Sequence, residues 1–138
     1  MTNAGKVINN LLLNSPVAGL VENRIYPVIA PQSAKFPLVV YEIQSTEPVN
    51  TKDRLNNRLG GKGRTLEYVS VNIFVSAYEY AQAENISSEI NKALDGYRGE
   101  NSGVYVDGII YEDISNDFRM DLELFENTLL YNFRIKYL

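Results

Sequence analysis

Apolar residues recur along this chain at two spacings, and the switches between them mark its elements. Val7, Ile8, Leu11 and Leu12 return at helical spacing, which predicts a short helix over residues 3 to about 13, with Asn3 or Thr2 as its cap. Ser15-Pro16 reads as an N-cap followed by proline at the first helical position, opening a second short helix over "VAGLVEN". Pro27, Pro31 and Pro37 then deny "RIYPVIAPQSAKFP" a helix, so that stretch is extended or turning. In "LVVYEIQSTEPVN" the period becomes two: Val39, Tyr41 and Ile43 share one strand face, and Leu38, Val40, Glu42 and Gln44 the other.

The clearest strand is "TLEYVSVNIFVSAY". Val69, Val71, Ile73, Val75 and Ala77 alternate with Tyr68, Ser70, Asn72, Phe74 and Ser76, the pattern of a sheet buried on one side. The period returns to helical over residues 80–95, where Ala83, Ile86, Ile90, Ala93 and Leu94 form a stripe that Gly96 ends. "YRGENSG" reads as loop, "VYVDGIIYEDIS" as strand and "NDFRMDLELFEN" as a bend or long turn. In "TLLYNFRIKYL" Leu129, Tyr131, Phe133, Ile135 and Tyr137 share one face of a last strand. The order helix, helix, strand, strand, helix, strand, strand predicts an α+β fold, one antiparallel or mixed sheet with helices packed on one face. The 138 residues show no repeat or linker and read as a single domain, 1–138.

Composition narrows the chemistry. The chain has no cysteine, which excludes disulfides and thiolates, and no histidine, which excludes imidazole bases, Ser-His and Cys-His pairs and His-containing zinc sites. No catalytic residue, cofactor or metal ligand is identified, and the chain is not expected to be an enzyme. The N-terminus lacks the pattern of a signal peptide, and no apolar run approaches a membrane span of about 18 residues. The expectation is a protein made and kept in a cytoplasm, with no membrane partner.

The net charge of −4 hides an asymmetry. Residues 52–64 carry Lys52, Arg54, Arg58, Lys62 and Arg64 against Asp53 alone, whereas residues 107–126 carry seven acids, among them Glu112, Asp113, Asp117, Asp121, Glu123 and Glu126, against Arg119. Opposite patches of this kind can meet across a subunit boundary, or both can be solvated loops. The glycine-rich stretch "NNRLGGKGRTLEY" suggests a phosphate cradle, but Asn56 stands where a P-loop needs its first glycine, Gly63 where it needs Ser/Thr, and a strand follows instead of a helix. A nucleic-acid contact and a solvated hairpin tip remain open. The acids lack calcium-loop spacing and read as solvated or interface carboxylates. Tyr68, Tyr78, Tyr80, Tyr105 and Tyr111 near strand ends or on the polar strand face suit sheet packing or a protein interface.

Arg24-Ile25-Tyr26-Pro27, then Ala30-Pro31-Gln32, then Phe36-Pro37 leading into a strand, resemble the tail-completion (tail-terminator) proteins of long-tailed bacteriophages and prophages. The resemblance runs nearly full length, and its motif is architectural. Where many members carry a histidine after the closing acidic turn, this chain has Asn127. The resemblance implies a homo-oligomeric ring, commonly a hexamer, at the head-proximal end of the virion tail. Such a ring caps the tail-tube protein, stops tube polymerisation and offers a surface to a head-completion or connector protein, with DNA passing through its lumen. The residues 52–64 would then be a contact loop toward tube, neighbour or DNA, and the acids of residues 107–126 its partner patch. The alternative is a head–tail connector (neck) protein or a DNA-contacting accessory protein of such a particle.

Overall fold

The computed structural model describes residues 3–48 and 66–137. These residues form helices α1 (Ala4–Leu13), α2 (Pro16–Leu20) and α3 (Tyr80–Leu94). They also form strands β1 (Ile25–Pro27), β2 (Leu38–Pro48), β3 (Leu66–Ala77), β4 (Gly99–Asn101), β5 (Val104–Arg119) and β6 (Leu124–Tyr137). The strands make one six-stranded sheet in the order β1-β2-β3-β6-β5-β4. β1 runs parallel to β2, and all other neighbours are antiparallel.

The period-two alternation sets which face is buried. Register pairs Val71 with Tyr131, Val69 with Phe133 and Ile73 with Leu129, so the apolar halves of β3 and β6 share a face. Val39 and Tyr41 of β2 and Val104, Val106 and Ile109 of β5 extend that face, and Val7, Ile8 and Leu12 of α1 and Ile86, Ile90 and Leu94 of α3 cover it. All three helices lie on this side, so the fold is α+β as the pattern predicts. The other face carries no helix among the described residues; it bears Ser70, Asn72, Thr128, Asn132 and Arg134, and the segment between β1 and β2 covers part of it.

Several local features differ from the sequence reading. Asn3 is the N-cap of α1 but makes no side-chain cap bond; its Nδ2 donates to Ser102 O at 3.0 Å. Ser15 does cap α2, its Oγ accepting from Val17 N at 3.3 Å, but α2 ends at Leu20. β1 and β4 are three residues each, too short to leave a periodic trace. Gln44 is not a face residue of β2; it is the extra residue of a bulge between Ile43 and Ser45.

The largest difference lies in "NDFRMDLELFEN". The expected bend is a continuation of β5 to Arg119, a turn over residues 120–123, and the start of β6 at Leu124. The ladder holds through Phe118↔Phe125, whose rings sit 4.9 Å apart. Residues 110–123 are exposed along this arm. Without a buried face to select apolar residues, the alternation that marks a strand is lost.

Candidate assembly surfaces

The acidic residues gather on the β5–β6 arm. Asp113 and Asp117 point to the face opposite the helices, as does Glu126, because Ile114, Asn116 and Phe118 between them face the helix side with Leu129 and Asn127. Asp117 stands directly opposite Glu126, two like charges across one ladder step. Glu112 sits at a bulge between Tyr111 and Asp113, and Asp121 and Glu123 lie in the turn. Arg119 reaches Asp121 at 3.7 Å in the open, a pair of little energetic weight. The structure therefore brings all six acids singled out in the sequence onto one projection. Asp107 lies apart from them and pairs with Arg98 at 3.6 Å.

A polar network anchors the arm to α3. Asn127 is 1% exposed and on the core side, where a periodic strand would carry an apolar residue. Its Nδ2 donates to Ser87 Oγ at 3.0 Å and to Glu84 Oε1 at 3.1 Å, and Asn116 Nδ2 donates to the same Glu84 oxygen at 2.8 Å. Ser87 Oγ in turn donates to Ala83 O at 2.8 Å. Further along, the Tyr131 hydroxyl donates to Asn91 Oδ1 at 2.9 Å, and burial raises its pKa above the ordinary tyrosine value, with Tyr111 and Asp95 adding to the shift. The sequence signal for this network was a polar residue, Asn127, at an apolar parity position of β6.

Lys52, Arg54, Arg58, Lys62 and Arg64 lie outside the described residues. The strands that flank them do not. β2 ends at Pro48 and β3 begins at Leu66, opposite Lys136 of β6, whereas the arm turns back at Leu124. At about 3.3 Å per residue, the ladder from 124 to 136 separates these two ends of the sheet by roughly 40 Å.

An apolar cleft flanks the arm. The segment between β1 and β2 curves over the sheet face opposite the helices, held by Arg24 Nε donating to Pro37 O at 2.9 Å and by Val28 N donating to Tyr41 O at 2.8 Å. Val28, Ile29, Phe36, Phe74, Leu122 and Leu124 help to line a cleft of about 530 Å³ between this segment and the arm. Ile29 is 78% and Met120 83% exposed, large apolar side chains in water beside the cleft. Arg24 and Pro37 thus hold this segment in place, while the exposed Val28, Ile29, Met120 and Leu122 were not anticipated. The tyrosines divide: Tyr78 and Tyr80 are exposed, Tyr68 lies under the Arg134 guanidinium at 5.1 Å, and Tyr105 accepts from Arg98 Nε at 3.2 Å. Tyr111 is not on the polar face but on the helix side, its ring 5.7 Å from Tyr131.

Among the described residues no group of three acids is placed to hold a metal ion. No family model matches the sequence. A search of curated proteins returns no match. Among solved structures, the chain is similar in fold to a chain in the virion of the native gene transfer agent (GTA) particle. The likeness has a TM-score of 0.67 at 14% identity and covers 96% of each chain.

Proposed function

We propose that this chain is a non-enzymatic structural protein of a phage-type particle, and specifically a tail terminator. Copies assemble head to tail into a ring, commonly of six, at the head-proximal end of the virion tail. The ring caps the tail tube, ends its polymerisation, and presents its other side to a head-completion or connector protein, with DNA passing through the lumen. The observation that carries this reading is the full-length likeness of fold to a gene transfer agent virion chain. The Arg24-Ile25-Tyr26-Pro27, Ala30-Pro31-Gln32 and Phe36-Pro37 signature supports the finer assignment. So does the placement of the acidic arm and of Pro48 and Leu66 at opposite ends of the sheet, since a head-to-tail ring needs two different, complementary patches on each subunit.

The test is a tube-capping assay. Tail-tube protein polymerised with this chain gives tubes of limited length, each carrying a ring at one end in negative-stain images. Tubes that grow unchecked and bare, at every ratio of the two proteins, rule the role out. A chain that instead binds duplex DNA with steep salt dependence and ignores tubes belongs to the accessory class.

A further inference from the structure

The outer edge of β5 is the least finished part of the sheet. β4 pairs with it only over residues 104–106. The end of α3 covers the next stretch, with Gly96 N donating to Ile109 O at 2.9 Å and Tyr111 N to Asp95 Oδ1 at 3.1 Å. From residue 112 to Arg119 no strand of the described residues lies beside it. Antiparallel pairing with β6 turns the amides of Ile114, Asn116 and Phe118 outward.

Two of these amides are held by makeshift partners. Ile114 N donates to Asp113 Oδ1 and Phe118 N to Asp117 Oδ1, each at 2.8 Å. A carboxylate bonded to the next residue's amide closes a short ring and cannot line up well with the N–H. These bonds cover the edge as charged edge residues do in natural sheets, but a straight backbone acceptor with a cation for the displaced carboxylate outcompetes them. Ile114 and Phe118 are 36% and 43% exposed along the same edge, so an occupant would also gain apolar burial.

We infer that this edge accepts residues 52–64 of a second copy as an added strand. Carbonyls of the incoming segment take the amides of Ile114, Asn116 and Phe118, and its cations take Asp113 and Asp117. The spacing supports the match: Asp113 and Asp117 of β5 are four residues apart, and so are Arg54 and Arg58. In extended chain, a four-residue step returns a side chain to the same face. The bare part of the β2 edge is a poor occupant, because Glu42 and Glu47 repel the acids and Pro48 has no N–H to give. The inference deepens the proposed ring and rests on copies meeting head to tail.

A charge exchange tests it without any tail tube. Variant one is D113K/D117K, at two exposed positions, and variant two is R54E/R58E. The native chain associates at low salt in sedimentation velocity, and each variant alone associates about tenfold more weakly or worse. Mixed one to one, they regain association, since each interface then joins opposite charges. In native assemblies and in the mixture, the amides of Ile114, Asn116 and Phe118 exchange more slowly than in the monomer. A native chain monomeric to its solubility limit at low salt, a mixture without rescue, or rescue without amide protection each overturns the inference. If rescue and protection occur but tubes are not capped, the tail-terminator role fails and the strand addition stands. If D113K/D117K alone caps tubes as well as the native chain, the reverse holds.

Discussion

Asn127 is the residue on which the placement of the arm turns. It is buried, and its amide nitrogen is divided between Glu84 and Ser87. Asn127→Asp puts a second carboxylate against Glu84, and we expect a loss of about 1–3 kcal/mol at neutral pH. Urea denaturation at neutral pH checks it. Tyr131 offers a second test. Its folded pKa is raised above the ordinary 10.0 by burial, so above that pH the unfolded chain binds fewer protons than the folded one and stability falls as pH rises. Tyr131→Phe removes this part of the alkaline decline and costs about 1 kcal/mol at neutral pH through the lost bond to Asn91. Tyr41, also raised by burial, leaves a residual slope. Thermal melts from neutral to alkaline pH would show a flatter curve for the variant. The parity of Asn127 was legible in the sequence; its partners, some forty residues away in the chain, were not.

At the scale of elements, α3 and β3 were legible because each buries a single face, which forces a period on the residues. Ile86 and Ile90 are fully buried under the sheet, and truncating either to Ala should cost about 2–5 kcal/mol in chemical denaturation. The arm obeys the opposite rule. Met120 and Leu122 are 83% and 51% exposed, so M120K/L122K should change stability by no more than about 0.5 kcal/mol. The same pair should weaken tube capping, since Leu122 lines the cleft and Met120 stands on the turn beside it. A variant that melts normally and caps tubes normally would remove the cleft from the assembly surface. β1 escaped the pattern for a different reason. Three residues carry no period, and β1 is placed by bonds that bracket it, Val39 N to Arg24 O and Val28 N to Tyr41 O.

At the scale of the whole molecule, charge decides what the surfaces can meet. The acids lie at one end of the sheet, and the strands bordering the basic segment end at the other. Complementary charge so divided favours contact between copies over contact within one. Self-association should therefore weaken steeply as ionic strength rises from roughly 0.05 to 0.5 M, where the Debye length shrinks below the span of the patches. Light scattering across that range would show it. Association insensitive to salt would point to the apolar cleft as the seam.

The sequence by itself determined the fold class, the core faces of β3, β6 and α3, and the absence of thiol and imidazole chemistry. Each follows from local period or composition, which burial and side-chain chemistry impose residue by residue. It also carried two segments of opposite charge, but not their geometry. Only the tertiary structure turned the expected bend at 116–127 into a projecting arm, set six acids on it, and left the outer edge of β5 beyond residue 112 with no strand beside it among the described residues. Those outcomes depend on strand register and sheet order, which join residues far apart in the chain, and on which parts of the ladder the helices fail to cover.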